Sequence, residues 1–257
     1  MSGVIAVLGF GEAGSLLARD LVAAGASVHG FDPAVPAPDG VTGAGSDVEA
    51  AAEADLVLSV NSAKEAVNAL SDSLGAIRQG TIWADLNTAA PTVKQRLAEL
   101  GRSCGIPVTD IAMMAPVPGK GLRVPMLASG DGAGEVAARL RGFGANVEVL
   151  DGPAGLAATR KLLRSVFYKG MAASIVEALD AARAAGYEDW LREHIAEELE
   201  KADAKTLGRI VTGTRQHAVR RGAEMAAAAE MVADFGVTPI MADASRALHE
   251  RLAAENE

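Results

Sequence analysis

Four side chains near residue 165 have types and spacing that suit acid–base chemistry: Lys161, Arg164, Ser165 and Tyr168. Residues three or four positions apart share one face of a helix, so this spacing groups an amine, a guanidinium, a hydroxyl and a phenol. An amine or a phenol can move a proton, and a guanidinium can hold a carboxylate through two parallel hydrogen bonds. A solvated basic stripe with Tyr168 at its edge gives the same pattern, so the surrounding fold must decide between the two interpretations.

A glycine-rich turn near the amino terminus has the spacing of a dinucleotide-binding site. It follows the apolar run at residues 4–8, which predicts a buried strand. The turn comprises Gly9, Phe10, Gly11, Glu12, Ala13 and Gly14. In such a turn the first glycine permits a tight bend, the second lets the backbone approach a pyrophosphate, and the third allows close helix packing. The alternative is an ordinary strand-to-helix turn whose glycines serve packing alone.

Asp32 determines which cofactor is expected. It ends a second predicted strand at residues 27–31, about 20 residues beyond the glycines, where an acidic side chain can accept the ribose hydroxyls of an adenosine. A carboxylate there would repel a 2′-phosphate, and residues 33–36 include no Arg or Lys to neutralise one. We therefore expect NAD(H) in preference to NADP(H).

The elements that must position these residues fall into two parts. Up to residue 152, strand-like and helix-like stretches alternate, which predicts an α/β, Rossmann-type domain with a doubly wound parallel sheet. Residues 153–257 contain helix signals alone, and we expect a second, all-α domain with helices at 154–185, 188–207, 215–235 and 239–254. The first of these helices carries Lys161 and would line the cleft between the domains, a preferred place for ligands.

Ligands of open α/β sheets bind beyond the carboxyl ends of the strands, which supplies further candidates. Val60, Asn61 and Thr88 follow two such strands and are predicted cofactor contacts, although Asn61 and Thr88 would serve equally well as helix caps. A long loop after the fifth strand supplies candidate substrate contacts, since long loops at strand ends are usually functional. These candidates are Pro118, Gly119, Lys120 and Arg123.

Composition and charge narrow the functional classes. Of the 257 residues 49% are hydrophobic, and the formal net charge of −9 argues against nucleic-acid or membrane-surface partners. No apolar run approaches the ~20 residues of a membrane span, and the amino terminus leads directly into a strand, so a cytoplasmic protein is expected. Cys104 is the single cysteine, which excludes a cysteine-rich metal cluster, and no metal is expected. A small anionic substrate would have to be attracted by local Arg and Lys side chains.

The turn at residues 9–14, the loop at 110–121 and the Lys161 helix, in this order and at these separations, resemble the β-hydroxyacid dehydrogenases. That family includes the 6-phosphogluconate and 3-hydroxyisobutyrate dehydrogenases, and residues 164–170 and 217–225 are similar to a phosphogluconate dehydrogenase-like branch. The resemblance implies hydride transfer between a nicotinamide and a small hydroxy acid. It also implies that Lys161 is the general acid and base for the substrate hydroxyl.

The sequence departs from the family pattern close to this lysine. Arg164 and Ser165 stand where the family usually has Asn or His-Asn, and Tyr168 stands where 6-phosphogluconate dehydrogenase has its glutamate acid. Met114 replaces the aspartate of the substrate loop. These changes argue against decarboxylation of 6-phosphogluconate. We expect Ser165 and Tyr168 to orient the hydroxyl or relay a proton, and Arg164, Lys120 or Arg123 to hold a carboxylate or phosphate.

Two other functions stay open. One is an imine or ketone reductase on the same scaffold with Tyr168 as the proton donor, and the other is a cofactor-binding protein without turnover. An amine with an ordinary pKa near 10.4 is a poor base at neutrality, so the dehydrogenase reading requires the cleft and Arg164 to lower the pKa of Lys161. The Ala-rich helices predict a homodimer. If its interface runs along the 154–185 helix, His217 of one subunit would contact substrate in the cleft of its partner; a solvated helix face explains His217 equally well.

Overall fold

The computed structural model describes residues 3–255, within which eight strands form one β-sheet. The strands are β1 (Val4–Leu8), β2 (Ser27–Phe31), β3 (Thr42–Gly43), β4 (Leu56–Ser59), β5 (Ile82–Asp85), β6 (Val108–Met113), β7 (Met126–Gly130) and β8 (Val147–Val149). Their order across the sheet is β3-β2-β1-β4-β5-β6-β7-β8. This order, with the chain reversing direction across the sheet after β3, confirms the predicted Rossmann-type α/β domain.

All neighbouring strands run parallel except β6 and β7, which pair antiparallel with Ala112 opposite Leu127. Residues 114–125 connect these two strands and contain a single 3₁₀ turn, Gly121–Arg123. A parallel pair requires a crossover connection, usually a helix, whereas an antiparallel pair does not. The loop therefore returns the chain alongside β6, and the sheet is parallel at its other pairs. The short strand β3 was absent from the sequence-based prediction.

Five helices of this part cover the two faces of the sheet: α1 (Glu12–Ala23), α2 (Asp47–Ala52), α3 (Ala66–Ser73), α4 (Pro91–Ser103) and α5 (Ala133–Gly142). Strand side chains alternate between the faces. In β1, Ile5 and Val7 belong to the core cluster that includes α1 and α5, while Ala6 and Leu8 belong to the cluster that includes α2, α3 and α4. The continuous apolar runs of the sequence thus reflect strands that are buried on both faces.

The remainder of the described chain is helical, as predicted, with five helices between residues 156 and 254. They are α6 (Leu156–Ala185), α7 (Glu188–Lys201), α8 (Ala204–Gln216), α9 (Ala218–Asp234) and α10 (Ile240–Ala254). The helix predicted at 188–207 is interrupted, because the Asp203 carboxylate accepts a hydrogen bond from the Thr206 backbone N–H (2.7 Å) and caps a new helix there. The helix predicted to begin at residue 215 begins after His217, which lies at the junction of α8 and α9.

The chain forms two compact units, one ending at Arg164 and one beginning at Ser165. This division lies beyond the predicted boundary at residue 152 and falls inside α6. The first turns of α6 are hydrogen-bonded to the sheet: Ser129 Oγ accepts from the Ala157 N–H (3.1 Å), and Asp110 Oδ2 accepts from the Ala158 N–H (2.8 Å). Lys161 and Arg164 therefore belong to the unit that contains the glycine turn.

Candidate functional site

The turn between β1 and α1 requires glycine at two positions for packing. Gly9 has φ of +101°, and a Cβ there would lie 2.7 Å from the backbone oxygen of Val60. A Cβ at Gly14 would lie 2.0 Å from the backbone oxygen of Gly9. Gly11 differs, because an added Cβ would meet no other part of the described chain within 4 Å. Gly11 precedes the first turn of α1, whose N–H groups have no intrahelical acceptor and attract phosphate charge, so this open space fits a dinucleotide pyrophosphate.

Asp32 joins the end of β2 to the glycine turn. Its Oδ2 accepts a hydrogen bond from the Phe10 backbone N–H (2.7 Å), and its Oδ1 accepts from the N–H groups of Ala34 (2.8 Å) and Val35 (3.0 Å). Burial favours the protonated acid, but the N–H groups of Ala34, Phe10 and Val35 outweigh it and hold the pKa of Asp32 below its usual range. The carboxylate is therefore charged at neutral pH, and its Oδ2 retains the capacity to accept from a ribose hydroxyl.

The other predicted cofactor residues differ in what they expose. Phe10 is 2% exposed, with its ring packed against Gly30, and Val60 is also buried, so both offer backbone rather than side chain to a ligand. Glu12 and Ala13 in the first turn of α1 line a cavity whose wall also includes Lys161.

Polar side chains at the ends of β4 and β5 form a connected network. Asn87 Nδ2 lies 2.9 Å from Asn61 Oδ1, 3.0 Å from Ser59 Oγ and 2.5 Å from Asp85 Oδ1. Asn61 Oδ1 also accepts from the Ser62 backbone N–H (2.8 Å). Asn61 thus has structural partners at the predicted site, and the network fixes the turn that leads to Thr88.

Lys161 extends from α6 to this turn and donates a hydrogen bond to Thr88 Oγ1 at 2.8 Å. Thr88 does not cap the following helix, because α4 begins at Pro91 with Ala90 as its N-cap residue. Lys161 and Arg164 line a cavity of about 400 Å³ together with Glu12, Ala13 and residues of the 113–118 segment. The lining includes two cationic side chains and one carboxylate, an excess of positive charge that suits a small anion.

Lys94 is a buried lysine that the sequence analysis does not single out. It lies in the first turn of α4 and is 1% exposed. Its Nζ donates to Asp85 Oδ2 (2.5 Å) and to the Asp85 backbone oxygen (2.9 Å), and it lies 3.1 Å from Asp110 Oδ1. The available signal was helical spacing, since positions 94, 97, 98 and 101 share the buried face of α4. A lysine on an apolar face requires buried carboxylate partners.

The remaining predicted residues are dispersed. Pro118 lines the Lys161 cavity, whereas Gly119, Lys120 and Arg123 are exposed and do not line it. Ser165, Tyr168 and His217 belong to the second unit, where Tyr168 and His217 are exposed. The predicted substrate roles of these residues stay predictions.

Two searches of residues 3–255 returned no feature. They contain no group of three or more His, Cys, Asp or Glu side chains arranged to hold a metal ion. No helix in this range has both the length and the apolar character that a membrane crossing requires.

Two family models match the chain. Residues 4–120 match the NAD binding domain of 6-phosphogluconate dehydrogenase, and residues 182–252 match the domain of unknown function DUF1932. The probable 3-hydroxyisobutyrate dehydrogenase of Mycobacterium tuberculosis H37Rv is 37% identical over 121 residues, which are 45% of this chain and 40% of that protein. The chain thus spans less than half the length of that relative.

Solved structures extend the similarity over nearly the whole chain. A protein of unknown function, MTH1747, described as structurally similar to 3-hydroxyacid dehydrogenases, is 25% identical with a TM-score of 0.62, covering 97% of this chain and 96% of its own. An imine reductase of Streptomyces aurantiacus has a TM-score of 0.81 at 18% identity, covering 96% and 93%. At that identity the likeness concerns the fold alone. The match of residues 4–120, the 3-hydroxyisobutyrate dehydrogenase relative and the likeness to MTH1747 confirm the predicted resemblance to the β-hydroxyacid dehydrogenases.

Proposed function

Because residues 4–120 belong to the NAD-binding domain family of 6-phosphogluconate dehydrogenase, we propose that this protein is a nicotinamide-dependent oxidoreductase of the β-hydroxyacid dehydrogenase type. One observation carries the proposal. The Lys161 amine, 2.8 Å from Thr88 Oγ1, lines a cavity whose wall includes Glu12 and Ala13 of the dinucleotide-binding helix. A proton-transfer group therefore lies where substrate and cofactor would meet.

Lys161 moves the proton of the reaction. In oxidation its neutral amine accepts the proton of the substrate hydroxyl, and in reduction the ammonium returns that proton to the carbonyl oxygen. A bound nicotinamide dinucleotide supplies the hydride acceptor or donor. Thr88 accepts one Lys161 N–H and so restricts the rotamer of a side chain that lines the cavity.

The substrate is a small anionic hydroxy acid. The cavity of about 400 Å³ admits a small molecule, and Arg164 supplies a guanidinium for a carboxylate within the same wall as Lys161. The net charge of the chain is −9, so attraction of an anion depends on these local cations. Pro118 forms part of the wall, whereas Gly119, Lys120 and Arg123 lie outside it.

NAD(H) is the preferred cofactor in this proposal. The Asp32 carboxylate is ionised at neutral pH, and a 2′-phosphate would approach it closely. Further acidic groups lie nearby: burial, followed by the charges of Asp32, Asp72 and Glu65, raises the pKa of Asp47. This negative field opposes an additional phosphate more strongly than it opposes a ribose hydroxyl.

The C-terminal unit supports a homodimer. In the described chain its surface carries large apolar side chains that a monomer would leave in water, among them Val219 (75% exposed), Trp190 (64%) and Phe167 (58%). Burying them against a second copy removes that apolar surface from water, and two-fold dimers are the commonest closed assembly.

Replacement of Lys161 tests the catalytic proposal. Activity is first located with a panel of hydroxy acids, sugar acids and cyclic imines, each with NAD(H) and NADP(H). Lys161→Met is then expected to lower kcat by about 10²- to 10⁴-fold with dinucleotide affinity nearly unchanged, because the amine acts on the substrate. Lys169→Met, an exposed lysine on the same helix, is the matched control. Activity of Lys161→Met within ~3-fold of wild type would contradict the proposal, and Tyr168→Phe would then test the reductase alternative.

A further inference from the structure

Asp85, Lys94 and Asp110 form a buried ionic cluster, here called the Lys94 cluster. All three side chains are at most 1% exposed. Lys94 Nζ lies 2.5 Å from Asp85 Oδ2 and 3.1 Å from Asp110 Oδ1. One lysine and two aspartates leave one net negative charge, and a buried unpaired charge is costly unless it is held by hydrogen bonds. The reaction proposed above makes no direct use of this cluster.

Each carboxylate of the cluster is bonded to a segment that carries a site residue. Asp110 Oδ2 accepts from the backbone N–H groups of Gly155 (3.1 Å) and Ala158 (2.8 Å) at the start of α6. Lys161 follows Ala158 by three residues and so lies on the same helix face, one turn further on. On the other side, Asp85 Oδ1 lies 2.5 Å from Asn87 Nδ2, and Asn87 precedes Thr88.

Asp110 of the cluster and Lys161 also line the same crevice. Thr88, Asp110 and Lys161 line a narrow crevice that is too small to admit a water molecule. Charges that are separated by protein rather than water are weakly screened. A change of charge at Asp110 or Lys94 therefore changes the electrostatic potential at the Lys161 amine. The other charged groups in the wall of the Lys161 cavity are Glu12 on α1 and Arg164 on α6.

We propose that Lys94 is a positioning residue for the reaction, and that it acts by neutralising one of the two buried carboxylates beneath Lys161 and by fixing both segments that hold the Lys161 amine. This inference rests on the proposed function. With Lys94 in place, the cluster contributes one excess negative charge near Lys161, and Arg164 contributes a positive charge in the wall of the Lys161 cavity. Without Lys94, a second uncompensated carboxylate would favour the protonated form of Lys161, in which the amine cannot accept a proton from a hydroxyl.

The test measures the Lys161 titration directly and does not depend on turnover. Lysine labelled with ¹³C at Cε is followed by NMR from pH 6 to 11, and the Lys161 signal is identified by its loss in Lys161→Arg. Lys94→Met is expected to raise the Lys161 titration midpoint by about 0.5 to 1 pH unit, and Asp110→Asn to lower it by a similar amount. The double variant Lys94→Met/Asp110→Asn restores one net negative charge and should return the midpoint to the wild-type value. Lys205→Met, an exposed lysine on α8, is the control and should leave the midpoint unchanged.

The outcomes separate the cluster from the catalytic proposal. Equal Lys161 midpoints in wild type, Lys94→Met and Asp110→Asn would overturn the inference. Should Lys94→Met fail to fold, Asp110→Asn still tests the inference. It leaves a neutral Lys94–Asp85 pair, so the Lys161 midpoint should be lower than in wild type. A positioning role is further supported if the pH–rate profile of Lys94→Met shifts together with the NMR midpoint. The pH–rate profile of Lys94→Arg should lie closer to that of wild type. If the midpoints shift as expected but Lys161→Met remains active, the coupling stands and the proposed function fails.

Discussion

Gly11 and Gly14 differ in what an added methyl group would meet, and this difference predicts opposite consequences of the same substitution. At Gly14 the Cβ of alanine would lie 2.0 Å from the backbone oxygen of Gly9, so the turn and α1 would have to separate. At Gly11 the Cβ would meet nothing within 4 Å in the described chain, and the backbone angles of φ −60° and ψ −173° are accessible to alanine. We expect Gly14→Ala to lose stability and Gly11→Ala to lose dinucleotide affinity.

The magnitudes follow from these contacts. Overpacking of this kind costs about 1–3 kcal/mol, which lowers Tm by roughly 2–10 °C for a chain of this size. For Gly11→Ala, the loss of a favourable N-cap residue, about 0.5–1 kcal/mol, is offset by about 0.4–1 kcal/mol from the lower entropy of the unfolded chain. Its Tm should therefore stay within ~2 °C of wild type. A methyl group in the space of the pyrophosphate should raise the dinucleotide Kd at least about tenfold, equivalent to about 1.4 kcal/mol.

Thermal unfolding and NADH titration measure the two effects separately. Gly134→Ala on α5 is the matched control, since its Cβ also meets nothing within 4 Å, and it should leave the Kd unchanged. Wild-type NADH affinity in Gly11→Ala would refute the assignment of the open space to a pyrophosphate. Wild-type stability in Gly14→Ala would refute the packing argument for the third glycine.

Three further outcomes are expected. Wild-type protein should bind NADH more tightly than NADPH in a fluorescence titration, and Asp32→Asn should narrow the difference; tighter NADPH binding would contradict the role assigned to Asp32. Hydrogen bonds from Arg183, and then Arg192, lower the pKa of Glu188 to about 2, so its carboxylate stabilises the fold fully above pH 4.5 and ceases to do so as the pH falls through 2. The difference in urea midpoint between wild type and Glu188→Gln should accordingly be present at pH 7 and vanish below pH 2, and a difference that persists there would contradict the ion-pair explanation. Sedimentation at micromolar concentration should give twice the 26.2 kDa chain mass, and a fully active monomer would contradict the homodimer.

The glycine turn was predictable because its determinants are local. Gly9 and Gly14 are required by contacts within one strand–turn–helix unit, and Asp32 ends the adjacent parallel strand, so spacing along the chain fixes their relation in space. The helix break at Asp203 lay within an Ala-, Glu- and Lys-rich stretch whose composition favours an uninterrupted helix. A single carboxylate that caps the next helix outweighed that preference.

The direction of β7 could not be derived from its own residues. Strand propensity is the same for parallel and antiparallel pairing, and the difference depends on the connection that precedes the strand. The loop at 114–125 had been interpreted as a substrate loop because of its Gly and Pro content and its cations. Its end instead packs locally, with Asp20 of α1 accepting from the Leu122 backbone N–H at 2.7 Å, which leaves Pro118 in the cavity wall and Lys120 outside it.

Lys94 lies on the buried face of α4, whereas the predicted site residues lie at strand ends or on the Lys161 helix. The partners of Lys94 were nevertheless accessible to sequence reasoning. Asp85 and Asp110 end or follow apolar residues in adjacent parallel strands, and their register brings them opposite each other. Two carboxylates that meet on adjacent strands inside a buried sheet repel each other unless a cation lies between them. Lys94 satisfies that requirement, because it lies on an otherwise apolar face of the helix that connects these two strands. The buried aspartates therefore explain the buried lysine, and the lysine explains the aspartates.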